Sequence, residues 1–160
     1  MTQPADHAPP HLLAFIARHD IRVELIAPGA PMPTVASAAA ALRVAEELIL
    51  KTLLFASNGE FVIAIANGTK RVSAKLLAEA SGLSAPRPAK PEVVQTVTGY
   101  PAGGVAPIAL PAGLPVIVDA AAAALPWAFG GAGREELMLG IAPADVVRLN
   151  HATVARIVET

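Results

Sequence analysis

Residues 48–68, LILKTLLFASNGEFVIAIANG, constrain the fold more than any other part of this chain. Two apolar runs rich in β-branched and aromatic residues flank Asn58-Gly59, and both members of this pair tolerate the positive φ angles of a tight turn. The pattern therefore predicts a β-hairpin. A second pair of the same kind, Asn67-Gly68, predicts the end of its second strand.

Lys51 does not match its surroundings in the first strand. Strand alternation places it on the same face as Ile49 and Leu53, and both faces of the strand are expected to be buried. An unpaired ammonium is costly there, so it must reach solvent, pair with an acid or face an anion in a cleft. An edge-strand lysine that blocks aggregation is the common structural explanation. A functional explanation needs a second feature.

Residues 98–107, TGYPAGGVAP, provide a candidate for that feature. Their three glycines and two prolines allow sharp turns and can expose backbone N–H groups to an anion. Residues 129–133, FGGAG, are predicted to form a second loop of this kind. They lack the full dinucleotide-binding spacing and the preceding βαβ context, so a Rossmann interpretation is rejected.

The rest of the chain is predicted to mix helices with short strands. Apolar spacing predicts a helix in residues 11–20, and Thr34 is the expected N-cap of a helix over residues 35–47. Ser73 is the expected N-cap of a helix that stops at Gly82.

The C-terminal half contains shorter elements. Residues 115–119 and 137–141 are predicted strands, and residues 143–159 are predicted as one helical segment. Together with the hairpin, this order predicts an α+β domain with a mixed sheet.

Composition limits the class of protein. The length of 160 residues predicts one domain spanning residues 1–160, with a flexible N-terminus at residues 1–10. Because the chain is 54% hydrophobic but only 4% aromatic, its core must be built from small aliphatic residues. No apolar run is long enough for a membrane span and no signal peptide is recognised, so a cytoplasmic protein is expected.

Several chemistries are disfavoured. The chain has no cysteine, its four histidines show no metal-binding spacing, and no G-x-S-x-G nucleophile motif occurs, so we expect neither a metal nor a cofactor. The net charge of −1 does not favour nucleic acid globally, but five bases lie between residues 70 and 90. These bases form either a solvated surface or a phosphate-docking patch. They are Lys70, Arg71, Lys75, Arg87 and Lys90.

Taken together, these motifs resemble the YbaK/ProX/EbsC family of free-standing aminoacyl-tRNA deacylases, which are related to the editing domain of bacterial prolyl-tRNA synthetases. The resemblance rests on LKTLLF, FVIAIANG, VTGYPAGGVAP, LPVIVD and the segment FGGAG to LMLGIAPADVVRLNHATVARI, and it covers residues 10–158. It implies a partly barrel-like mixed sheet surrounded by helices. It also implies a pocket between the lysine-bearing strand and a G-x-x-x-P loop, here Gly103 to Pro107.

The resemblance implies that Lys51 neutralises phosphate at the 3′ end of a tRNA, while backbone amides of the glycine loop position the ester carbonyl. Hydrolysis of this activated ester needs an oriented water and oxyanion donors rather than a protein nucleophile. The candidate catalytic residues are Lys51, Gly103, Gly104 and Pro107. The candidate substrate-binding residues are Thr34, Gly99, Tyr100, Asp119, Gly130 and Gly131.

Asp119 illustrates the alternatives that the residues leave open, because it can cap the helix that follows or pair with Lys51. The expected function is removal of a wrong amino acid, alanine or cysteine, from a mischarged tRNA such as that for proline. A non-catalytic module that binds tRNA or a synthetase is the second hypothesis. A small-molecule-binding domain in which Lys51 faces a carboxylate is the third.

Overall fold

The computed structural model describes residues 7–160, which form six α-helices and eight β-strands. The helices are α1 (Pro10–His19), α2 (Val35–Leu42), α3 (Ala74–Ser81), α4 (Pro91–Thr98), α5 (Ala120–Ala123) and α6 (Pro143–Asn150). The strands are β1 (Val23–Ile26), β2 (Leu50–Ser57), β3 (Glu60–Asn67), β4 (Arg87–Pro88), β5 (Val116–Asp119), β6 (Ala128–Gly131), β7 (Met138–Ile141) and β8 (Thr153–Ala155). The predicted α+β class is confirmed.

The predicted hairpin is present as β2 and β3. Asn58 and Gly59 have φ angles of 49° and 82°, so both central residues of the turn adopt the left-handed conformation for which their types are suited. The register pairs Ser57 with Glu60 and continues to Leu50 opposite Asn67. The turn chemistry therefore sets which side chains of the two strands share a face.

Two N-caps predicted from single residues are also confirmed. The Thr34 hydroxyl accepts a hydrogen bond from the Ser37 amide at 3.0 Å, and the Ser37 hydroxyl accepts one from the Thr34 amide at 3.0 Å. This reciprocal pair satisfies two donors at the start of α2. Ser73 caps α3 in the simpler way, since its hydroxyl accepts from the Leu76 amide at 3.2 Å.

The strands divide into two sheets. One has the order β1-β7-β6, and the other has the order β4-β2-β3-β5-β8, with β5 parallel to both β3 and β8. A single bridge between Ile49 and Phe129 connects the two sheets. The start of β2 is therefore held close to β6, although the two segments are far apart in the chain.

The core follows from this arrangement. Ile63 and Ile65 project from the central strand β3 into a cluster shared with Leu139 and Ile141 of β7. The alternate residues of β3 form a second cluster, which includes Leu77 of α3. Since β3 is buried on both faces, it forms a fixed support for its partner β2.

Three sequence predictions need correction. The predicted helix over 35–47 ends at Leu42, because Arg43 adopts a left-handed conformation with φ of 58°, and only a short 3₁₀ turn, Glu46–Leu48, follows. The predicted C-terminal helix is a helix followed by strand β8. His151, with φ of 49°, ends α6, and Thr153 then pairs with Ile117 of β5.

The third correction concerns residues 129–133, which were predicted to form a loop. Residues up to Gly131 belong to strand β6, which pairs antiparallel with β7. The N-terminus was predicted to be flexible over residues 1–10. Residues 1–6 lie outside the described residues, and Ala8 is buried in the core. Across residues 7–160, no helix has the length and apolarity that a bilayer crossing requires.

Candidate active site

A cavity of about 120 Å³ brings the lysine-bearing strand and the glycine loop together. It is bounded by residues 32–35 and 38 around the start of α2, 49–53 of the β2 region, 102–105 of the loop, and one residue each from β6 and β7. Half of the ten predicted site residues line it. They are Thr34, Lys51, Gly103, Gly104 and Gly131.

Lys51 is half-buried in the wall of this cavity. Its ammonium donates a hydrogen bond to the backbone carbonyl of Lys70, in the connection between β3 and α3. Burial lowers the pKa of Lys51 from its ordinary value, since desolvation disfavours the charged form. Leu53 on the same face is 37% exposed, so the expectation that both faces of β2 are buried is wrong here. The lysine is tolerated because its face of the strand opens outward.

Gly104 holds the loop against a second segment of the chain. Its amide donates to the Pro101 carbonyl at 2.9 Å, and its carbonyl accepts from the Gly133 amide at 2.8 Å. A Cβ on Gly104 would lie 2.8 Å from the backbone nitrogen of Arg134. The approach of the two backbones thus excludes any side chain at this position.

Gly131 makes a similar approach from the end of β6. A Cβ there would lie 2.7 Å from the Val105 carbonyl oxygen, while one on Gly130 would contact the Pro107 ring at 3.3 Å. Gly130 and Pro107 therefore pack the loop onto β6, and neither lines the cavity. Gly130 and Pro107 therefore affect the shape of the cavity wall without lining the cavity themselves.

Three further predicted site residues also lie outside the cavity. Tyr100 is fully buried, donates its hydroxyl to the Ile108 carbonyl at 3.0 Å, and has a pKa raised by burial. Asp119 accepts from the Ala121 amide at 3.0 Å and the Ile157 amide at 2.9 Å, so it caps α5 rather than pairing with Lys51. These two residues hold the fold together.

Gly99 ends α4 in a left-handed conformation and lines a different, larger groove of about 820 Å³ between α1, α4 and α6. None of the other predicted site residues lines that groove. The smaller cavity is therefore the better candidate for the active site, despite its size.

Sequence reasoning missed several residues of the cavity wall. Met32, Ala38 and Met138 are each at most 5% exposed and form its buried end together with Ile49. Nothing in the local pattern marks them, since they come from the connection before α2, from α2 and from β7. Thr52, in contrast, could have been found from the sequence, because it is a polar residue in an apolar strand, next to Lys51.

The cavity has a polar mouth and an apolar interior. Thr34, Leu53 and Gly103 are exposed at the mouth, where Lys51 is half-buried. The mouth thus combines one cation with glycine backbone that no side chain of its own covers, and the interior offers room for a small, mostly apolar group.

The five bases between residues 70 and 90 are all exposed. They lie on the β3–α3 connection, α3, β4 and the start of α4. The first of them, Lys70, is the residue whose carbonyl accepts the hydrogen bond from Lys51. We call these five residues the basic patch. It begins directly beside the candidate active site.

Comparison with known proteins gives a consistent result. A family model described as "Aminoacyl-tRNA editing domain" matches residues 29–149. A proline–tRNA ligase of Streptococcus equi subsp. zooepidemicus (strain H70) is 28% identical over 127 residues, which cover 79% of this chain and 21% of the ligase. One from Nitratidesulfovibrio vulgaris (strain DP4) is 34% identical over 87 residues, covering 54% of this chain and 15% of that ligase. The chain spans at most about a fifth of the length of these ligases.

Solved structures match over nearly the whole chain. The crystal structure of hypothetical protein APE2540 has a TM-score of 0.86 at 34% identity, covering 93% of this chain and 99% of that one. A candidate trans-editing enzyme for prolyl tRNA synthetase has a TM-score of 0.83 at 22% identity, covering 100% and 99%. At that lower identity, the second match supports the fold alone.

Proposed function

Because this chain belongs to the aminoacyl-tRNA editing domain family, we propose that it is a trans-acting deacylase that hydrolyses the ester of a mischarged tRNA. The proposed substrates are alanyl- or cysteinyl-tRNA for proline. One observation carries the proposal: Lys51 and the glycines at 103 and 104 line the same cavity. For an ester at the end of an RNA, the cation would neutralise phosphate charge and the glycine backbone would position the ester carbonyl.

The proposed reaction needs little from the protein's side chains. A water adds to the ester carbonyl, the bond to the ribose oxygen breaks, and the free amino acid and the tRNA hydroxyl leave. An aminoacyl ester is activated already, so orientation of the water and stabilisation of the oxyanion suffice. Lys51 would neutralise phosphate at the mouth, and the loop backbone of residues 102–105 would position the carbonyl.

The basic patch is the proposed contact for the body of the tRNA. Exposed lysines and arginines neutralise phosphates without reading sequence. The hydrogen bond between Lys51 and the Lys70 carbonyl joins the patch to the cavity, so an RNA lying on the patch could present its 3′ end to Lys51. An aminoacyl-tRNA synthetase is a further proposed partner, since related sequences form part of proline–tRNA ligases.

The direct test is a deacylation panel. One tRNA for proline is charged in turn with alanine, cysteine, serine and proline, and release of free amino acid is followed with wild-type protein and with Lys51→Ala. We expect the wild type to release at least one non-cognate amino acid and the variant to release none above the spontaneous rate. Tight tRNA binding without hydrolysis of any ester would instead support a non-catalytic module. Absence of tRNA binding would support a small-molecule site.

A further inference from the structure

The side chain of Asn150 reaches from the last residue of α6 to the end of the glycine loop. Its Nδ2 donates to the Pro107 carbonyl at 2.7 Å and to the Val146 carbonyl at 2.9 Å. Because both partners are acceptors, the nitrogen of the side-chain amide faces them rather than its oxygen. Pro107 lies 43 residues before Asn150, so the first of these bonds ties the loop to a distant helix.

The limb of the loop that contains Pro107 depends on side chains for its hydrogen bonds. Residues 105–108 are buried, yet they make no backbone–backbone hydrogen bond in the part of the chain that the structure describes. Asn150 holds the Pro107 carbonyl, and the Tyr100 hydroxyl holds the Ile108 carbonyl at 3.0 Å. Because proline has no N–H, the carbonyl is the one backbone group through which a hydrogen bond can hold Pro107.

The other end of the loop lines the cavity of the candidate active site. Gly103, Gly104 and Val105 belong to its wall, and Val105 is only two residues before Pro107. A displacement of Pro107 therefore reaches the cavity wall within two residues. Asn150 itself lines the larger groove and not the cavity, so it acts from behind the loop without contacting a substrate in the cavity.

We propose that Asn150 is a positioning residue for deacylation: it fixes Pro107 so that the backbone of residues 103–105 can orient the ester carbonyl. This inference rests on the proposed function and extends the site to a side chain outside the cavity. Without the donor, the carbonyl of the buried Pro107 loses its hydrogen bond, and the limb shifts to regain a partner. Lys51 and the basic patch lie on other elements, so loss of Asn150 should affect the chemical step rather than RNA binding.

The test measures kcat and KM with the ester of one tRNA that the wild type hydrolyses fastest. Asn150→Leu is similar in size but has no donor, and it should lower kcat about 10- to 100-fold, as a small misplacement at the reacting centre does, while KM changes less than about twofold. Arg148→Gln changes an exposed side chain at the same end of α6 and is the control, with wild-type kcat and KM expected. Fluorescence anisotropy with uncharged tRNA measures binding separately. Urea unfolding checks the fold of each variant, and Asn150→Ala replaces the leucine variant if that one does not fold.

Different results overturn different parts. A folded variant at position 150 with wild-type kcat contradicts the inference. A rise in KM as large as the fall in kcat also contradicts it, since Asn150 would then serve RNA binding. If neither variant folds, Asn150 is required for the fold itself and the inference is wrong. In each of these cases the deacylase function stands, whereas a wild type that hydrolyses no ester overturns the proposed function and the inference with it.

Discussion

The ammonium of Lys51 donates a hydrogen bond to the backbone carbonyl of Lys70, across the space between strand β2 and the connection leading to α3. This contact orients the amine at the mouth of the cavity and ties the first residue of the basic patch to it. A ligand phosphate can replace the carbonyl as a partner, and charge-assisted hydrogen bonds to ionised oxygens are the stronger kind. The contact thus holds the lysine in position at the mouth, where the proposed RNA substrate would meet it.

Removing this charge should stop deacylation without unfolding the protein. We expect Lys51→Met, which keeps most of the aliphatic stem, to lower kcat/KM at least ~100-fold, by analogy with the loss of one preorganised electrostatic contact. Lys51→Arg keeps the charge and should retain part of the activity. Circular dichroism and thermal unfolding report the fold. Wild-type rates in Lys51→Met would refute the assignment.

The pKa of Lys51 gives a second prediction. Because burial lowers it from 10.5, the ammonium should lose its proton at a lower pH in the folded protein than in the unfolded chain. The folded state then binds fewer protons than the unfolded state between the lowered pKa and 10.5. The penalty from Lys51 is therefore full below the folded pKa and disappears as the pH rises through 10.5. An NMR titration of the Lys51 side chain in the folded and the urea-unfolded protein measures this, and coincident curves for the two states would contradict it.

Two adjacent glycines should differ sharply in their tolerance of alanine. A Cβ on Gly104 meets backbone atoms of Arg134 at 2.8 Å and Gly133 at 3.1 Å, whereas one on Gly103 meets the exposed side chain of Glu135 at 3.0 Å. Because backbone cannot move aside easily, Gly104→Ala should lower the free energy of unfolding by about 1–3 kcal/mol. Gly103→Ala serves as the matched control and should cost less than about 1 kcal/mol. Urea unfolding separates the two.

The basic patch should account for the salt dependence of tRNA binding. We expect Lys75→Gln and Arg87→Gln each to weaken binding and to reduce the slope of log K against log salt by about 1. Arg148→Gln is the control, since that guanidinium already pairs with Asp145 at 3.0 Å. Fluorescence anisotropy over a range of salt concentrations measures the slopes. Equal effects of the three substitutions would argue against a defined docking surface.

Tyr100 should act on stability. In Tyr100→Phe the carbonyl of Ile108 loses its buried donor, so the free energy of unfolding should fall by about 1–3 kcal/mol. The ring still fills its place in the core beside His11, whose centroid lies 4.8 Å away. The measurement is chemical denaturation together with kcat/KM. A loss of activity without a loss of stability would instead indicate that Tyr100 contacts the substrate.

Much of the candidate site could be predicted from short stretches of chain. The turn at Asn58-Gly59 sets the register of β2 and β3, and the conflict between Lys51 and its apolar neighbours marks a position with a special environment. The caps at Thr34 and Ser73 involve partners only three residues away. Such features are local, so the residues that produce them are visible together in the sequence.

The remaining features depend on contacts between distant segments. The second carboxylate oxygen of Asp119 accepts from the Ile157 amide, 38 residues further along the chain, a contact that the residues around Asp119 do not reveal. Residues 128–131 form a strand because they pair with β7. Met32 and Met138 share a cluster only because both pack against α2.

The sequence by itself therefore determined the hairpin, the helix caps, the glycine-rich loop and the identity of the one misplaced cation. Only the tertiary structure decided that this cation and the loop share a cavity, that Tyr100 and Asp119 lie outside it and bond to backbone groups, and that the Thr52 hydroxyl is left without a partner. The physical reason is that turns and caps are made by near neighbours. Burial and hydrogen-bond satisfaction are set by residues that meet only when the chain has folded.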